Sequence, residues 1–331
     1  MTLHKPTNGN IVLTPVQKEI VCGLSGGTMT ILITHPLDLI KVRLQLSRSS
    51  NTSSYKGIIK NTILHTQQNG SQLKNVVKEA YRGLGINLIG NAVSWGMYFG
   101  LYRFYKDIIH DTFVPKNTFD LAQTNFTKDQ KMNSFMYLGA AWGAGITTSV
   151  LTNPIWVIKT RIMGSTKYDP ANYQNYHKIK STFKDMIHKE GWKSLCKGLV
   201  PSILGVSQGA IYFSCYDTLK IRWFHSEGDQ VEKKLNALDY ITITTLSKMV
   251  SVTSVYPLQL IKSNLQYNKD TSLSLAQLLR NIYENQPSIG SSKMSKKSWR
   301  HFYKGLNANL IRAVPSTCIT FYVYETLKHC I

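Results

Sequence analysis

The chain alternates between long runs of small and apolar residues and shorter polar ones. The first long run, Val16 to Leu46, predicts a helix interrupted near Pro36, because a proline inside a helix removes a backbone hydrogen bond and bends the axis. Gly83 to about Lys106 is the second run, nearly free of charge before Arg103 and long enough for roughly 30 Å of hydrocarbon. The other four are Asn133 to Met163, Gly198 to Lys220, Leu238 to Gln266 and Gly305 to Lys328. Between them lie a Ser- and Asn-rich loop (47–57), polar or charged linkers (107–130, 225–236), a loop (164–178) and three short surface helices (58–69, 179–190, 275–285). Residues 1–15 read as a loose tail.

The same motifs return three times in one order. Pro36-Leu37-Asp38-Leu39-Ile40-Lys41-Val42-Arg43 is matched by Pro154-Ile155-Trp156-Val157-Ile158-Lys159-Thr160-Arg161 and by Pro257-Leu258-Gln259-Leu260-Ile261-Lys262-Ser263-Asn264. Each is followed by an aromatic residue or Cys, a base and a Gly: Tyr81-Arg82-Gly83, Cys196-Lys197-Gly198 and Tyr303-Lys304-Gly305. A third motif lies 18 or 19 residues beyond that Gly, at Tyr102 to Lys106, Tyr216 to Lys220 and Tyr324 to Lys328. The prolines stand 118 and 103 residues apart, too far for solenoid units, so the pattern predicts three copies of a small module (16–112, 131–224, 237–331) in one domain. Gly23 and Gly27 form a G-x-x-x-G that allows close helix approach; the equivalent pairs are Ala141/Gly145 and Thr244/Lys248.

This triplicated proline, acid, base, base pattern resembles the mitochondrial carrier family, and the resemblance runs from about Thr14 to Lys328. Trp156 in place of the second acid is similar to the branch that carries NAD, pyrimidine nucleotides, folate and FAD. The stretches Gly198 to Leu219 and Asn307 to Lys328 look most like the fungal FAD carriers of that branch. The resemblance implies an all-α membrane protein of six transmembrane helices in three pseudo-repeats with short matrix helices. It implies a monomer in the mitochondrial inner membrane with both termini in the intermembrane space. FAD would be cargo and not a cofactor, and cardiolipin a lipid partner.

Composition changes this picture little. The 331 residues carry a formal charge of +21, a balance often seen in nucleic-acid binders, but the bases sit at the repeats and in the loops after them, and no nucleic-acid motif appears. Mean hydropathy is slightly negative, as expected of helices whose polar faces line a wet path. The lysines of the loops after the odd helices, such as Lys178, Lys180, Lys184 and Lys293, fit the side that is not translocated. Five cysteines without paired spacing support neither a disulfide framework nor a metal site. No catalytic arrangement is visible among the nine histidines, so no enzyme is expected.

A transporter needs two gates with a site between them. The motif prolines Pro36, Pro154 and Pro257 mark kinks beside one gate, built by Asp38 against Lys41, Lys159 and Lys262. Trp156 and Gln259 replace the other acids, so one ion pair closes this matrix side, helped by a Gln259 hydrogen bond and by Gln45 or Gln266. The cytoplasmic gate pairs Asp217 with Lys220 and Glu325 with Lys328, while Arg103 and Lys106 leave the first module without its acid. The family's substrate contacts fall at Gly90-Asn91, Gly205-Val206 and Arg312-Ala313, where a missing side chain admits a flat purine and Arg312 offers forked donors to phosphate. Gln208, Ser94, Trp95 and Tyr212 are further candidates for the cavity wall. Lys248 has two readings, a pyrophosphate ligand or a snorkelling structural lysine.

Overall fold

The structure, a computed structural model, describes residues 15–47, 57–60, 72–113, 133–165, 179–225, 237–269, 274–284 and 298–330. Every regular element among them is helical. In order they are α1 (Pro15–Leu46), α2 (Gln72–Ala80), α3 (Leu84–Phe113), α4 (Ser134–Gly164), α5 (Ile179–Glu190), α6 (Leu199–Gly205), α7 (Ser207–His225), α8 (Ala237–Tyr267), α9 (Leu275–Glu284) and α10 (Leu306–Cys330), with 3₁₀ turns at Trp192–Cys196 and Trp299–Tyr303.

The odd helices α1, α4 and α8 run through Pro36, Pro154 and Pro257 without a break, where the sequence predicted an interruption in the first. Their hydroxyl side chains turn back onto the helix: Thr34, Thr152, Ser247 and Thr253 each donate to the carbonyl four residues earlier. Each even helix begins after a glycine at positive φ, Gly83 (81°), Gly198 (76°) and Gly305 (85°), a conformation that costs other residues but not glycine. The even helix of one module lies along the odd helix of the next: α3 on α4, α7 on α8 and α10 on α1 form the largest interfaces.

Buried apolar clusters gather at the end that holds the proline motifs. Ile86, Val157, Ile158, Ile162, Met186 and Leu195 form one; Leu44, Ile58 and Ala308 a second; Ile261, Leu278 and Phe302 a third. Elsewhere large apolar side chains are exposed, among them Phe99, Trp142, Phe213 and Ile311.

Several boundaries differ from the sequence pattern. The expected linker after Lys106 begins as helix, because α3 continues to Phe113 with Arg103 and Asp107 paired at 3.4 Å one turn apart. The fourth long run is split at Val206, whose side chain seats on Gly145: a Cβ added to Gly145 would lie 2.7 Å from Val206 Cγ1. The short helix of module 1 is α2, whereas most of the expected 58–69 helix lies outside the described residues. Among the described residues one stretch, Trp192–Arg222, is by itself long and apolar enough to cross a membrane.

Candidate functional site

The proline-motif ends of α1, α4 and α8 bring one carboxylate among many cations. Asp38 Oδ1 forms an ion pair with Arg312 Nη1 of α10 at 2.9 Å, and the expected Lys41 and Lys159 lie in the field of the same carboxylate. Lys41 lies in the field of Arg312, Asp38, Lys159 and Lys262 together, Lys262 in that of Lys159, and Lys248 in that of Arg312. Lys159 also stands over the indole of Trp156, 4.7 Å from the ring centre, so the residue that replaces an acid still holds its base, through its π face. Arg312 Nε is buried without a hydrogen-bond partner among the described residues.

The glutamines knit this end together. Gln259 donates to Gln208 Oε1 at 2.9 Å and accepts from Asn309 at 3.5 Å. Gln45 donates to Tyr256 OH at 3.1 Å and accepts from Ser263 at 3.0 Å, tying α1 to α8. Gln266 accepts from Thr160 at 2.8 Å, tying α8 to α4.

Not every expected contact faces a cavity. Gly90 is buried against Ile155 and Trp156: a Cβ there would sit 3.1 Å from Ile155 Cγ2, so the glycine serves helix approach. Ala313 is buried as well, at 6 % exposure. Val206 packs on Gly145, which takes its side chain away from any cargo. Asn91 donates to Asn87, at its carbonyl (2.8 Å) and its side chain (3.0 Å). Gly205, in contrast, has open space where a Cβ would stand, and Lys248 is exposed. Trp95 is 57 % exposed within a cluster of Tyr98 and Phe99. Tyr212 bonds Thr244 across to α8 and stacks on Tyr216.

At the other end the pairs are looser. Asp217 and Lys220 form no ion pair among the described residues. Lys106 lies over Tyr102 and Tyr137, 5.8 and 5.2 Å from the ring centres. The side chains of Glu325 and Lys328 lie outside the described set. Thr30 and Thr320 share a hydrogen bond of 2.8 Å between α1 and α10.

Sequence reasoning missed two ion-pair anchors. Arg43 pairs with Glu79 of α2, and Arg161 with Glu190 of α5, which also binds Lys197 at 2.9 Å. Both arginines are the last base of their motif, and that fixed offset was the available signal. Burial would raise the Glu190 carboxyl, but hydrogen bonds and charge from Arg161 and Lys197 outweigh it and hold the group below the usual range. Burial lowers the Lys304 amine to about 8, although it donates to Ser47 O.

Comparison with known proteins agrees with this triplicate plan. The family description "mitochondrial carrier protein" matches residues 13–113, 130–227 and 233–331. The chain belongs to the mitochondrial carrier family. It is 45 % identical to the mitochondrial FAD carrier protein of Saccharomyces cerevisiae over 96 % of this chain and 97 % of that one. The chloroplastic folate transporter 1 of Arabidopsis thaliana is 28 % identical over 94 % of both chains. The mitochondrial nicotinamide adenine dinucleotide transporter 1 of Saccharomyces cerevisiae is 28 % identical over 96 % of this chain and 78 % of its own. Mitochondrial carriers are transporters, and this chain is one of them, a protein of the mitochondrial inner membrane.

Proposed function

We propose that the chain moves FAD across the mitochondrial inner membrane by alternating access. The observation that carries this reading is Arg312, held by the one acid of a cluster that otherwise contains only cations. Such a cluster suits a pyrophosphate, whose charges replace those of the missing acids. The 45 % identity to the yeast FAD carrier supports FAD as the cargo. The relatives named for NAD and folate mark the second reading, since FAD and NAD share an ADP half that Arg312 and Lys248 would hold equally.

In this reading α1, α3, α4, the α6–α7 pair, α8 and α10 are the six spans. Outward Phe99, Trp142, Phe213 and Ile311 suit acyl chains, and polar Asn91, Gln208, Lys248 and Arg312 suit a wet interior. The Asp38–Arg312 pair and the Gln259–Gln208 bond close the matrix side in this conformation, with Lys41, Lys159 and Lys262 around them. Asp217, Lys220, Lys106, Glu325 and Lys328 form the opposite gate. Cargo binding at Arg312 competes with Asp38 for the same donors and so supplies the differential free energy that opens the closed side. The protein works as a monomer, with cardiolipin at its basic matrix loops.

Uptake by purified protein in liposomes, comparing FAD, FMN, NAD, UTP and folate, tests the cargo. Saturable FAD uptake that NAD fails to compete is the expected result. Preference for NAD, UTP or folate would keep the transport mechanism and replace the cargo.

A further inference from the structure

The residue before each motif proline is different, His35, Asn153 or Tyr256, yet all three occupy one structural role. Each is buried, at most 2 % exposed. Each reaches across its own module to one equivalent carbonyl, that of the base in the aromatic-base-glycine turn. His35 Nε2 meets Arg82 O at 3.1 Å, Asn153 Nδ2 donates to Lys197 O at 3.2 Å, and Tyr256 OH donates to Lys304 O at 2.7 Å. Asn153 reaches Leu195 O as well, at 2.7 Å. A carbonyl only accepts, so the His35 proton sits on Nε2, and Nδ1 then accepts from Asn87 at 3.3 Å. The three carbonyls precede the glycine that opens the even helix.

The outer side of each contact meets the neighbouring module. The residue nine positions after each proline, Gln45, Met163 or Gln266, leans on the positive-φ glycine of that neighbour. A Cβ added to Gly305 would lie 3.5 Å from Gln45 Cγ, one on Gly83 2.9 Å from Met163 Cγ, and one on Gly198 3.0 Å from Gln266 Cγ. Gln45 donates to Tyr256 OH at 3.1 Å and Gln266 to Asn153 Oδ1 at 3.5 Å, so two of the three contacts are bonded on both sides.

We propose that His35, Asn153 and Tyr256 are positioning residues of the transport cycle. Each latches the proline bend of its odd helix to the start of its even helix, so the module tilts as one body. The contacts from Gln45, Met163 and Gln266 are then the ones that part and reform between modules. This inference rests on the alternating-access reading above.

Uptake into liposomes by the full chain tests it with His35→Leu, His35→Gln and Tyr256→Phe, each rate divided by the amount of protein inserted and melting cooperatively. Glutamine returns an amide donor near the place of Nε2; leucine does not. His35→Leu and Tyr256→Phe should each lower kcat about tenfold with KM within about twofold, and His35→Gln should recover most of the loss. Equal kcat in His35→Leu and His35→Gln, or a loss carried by KM alone, overturns the proposal. Tyr256→Phe keeps the shape of the ring and its stack on Tyr303 (6.2 Å), so it decides the matter should His35→Leu fail to insert. A wild-type chain that takes up another nucleotide in place of FAD would overturn the cargo; the same kcat ratios read with that nucleotide would still test the latch.

Discussion

Arg312 pairs with Asp38 through one guanidinium nitrogen, and its buried Nε has no hydrogen-bond partner among the described residues. On the proposed function, Arg312→Ala removes a gate partner and a phosphate ligand together. FAD uptake should fall at least tenfold, roughly the effect of one lost charge-assisted bond, while the protein stays in the membrane; normal uptake would take Arg312 out of the site. Lys248 is different, since it is exposed and reaches Arg312 only through its field. Lys248→Ala should raise the KM for FAD about tenfold and leave the melting temperature almost unchanged. A matching fall in stability and transport would make it a structural lysine.

At the scale of elements, the acid of α5 joins three parts of module 2 and its neighbour. Glu190 takes Arg161 of α4 and Lys197 of the turn, and both bases also bond Asn268 O beyond α8. Its carboxyl is held below the ordinary 4.5, so the folded state favours the charged form. The stability it contributes is present above that ordinary value and is lost as pH falls through the lowered one. Glu190→Gln should thus melt lower than wild type at pH 7, and the two curves should converge in a detergent melting series as pH falls below the ordinary 4.5 and through the lowered value. The sequence made the odd helices legible because their prolines recur at fixed places, and their observed ends lie within a few residues of the apolar runs. It did not reveal the break at Val206, which follows from close approach to Gly145 on another helix. Nor did it reveal that Gly90 is a packing glycine, because only the bulk of Trp156 and Ile155 opposite it shows that. The partners of Arg43 and Arg161 were hidden for a similar reason, since each sits in a short helix 36 or 29 residues away.

The whole molecule has to be placed in lipid by its surface and not by average hydropathy, which among the described residues one stretch alone satisfies. Large apolar side chains such as Phe99, Trp142, Phe213 and Ile311 are exposed, as a surface that meets lipid requires. Alkaline carbonate extraction should leave the chain in the membrane pellet; release to the supernatant would overturn the six-span reading. The triplicate plan was legible from the sequence because three motifs recur in register, and the wall of the cavity was not, because it depends on which face each helix turns inward. The lone acid among Lys41, Lys159, Lys262, Lys248 and Arg312 has an electrical consequence. On the proposed function, an anionic cargo offsets that surplus, whereas the empty protein keeps it when it resets. A membrane potential, worth about 2.3 kcal/mol per charge per 100 mV, then acts on the return of the empty carrier more than on the loaded passage. Uniport into vesicles should change rate when a potassium gradient and an ionophore set the voltage, while exchange of FAD for FAD should be nearly indifferent to it.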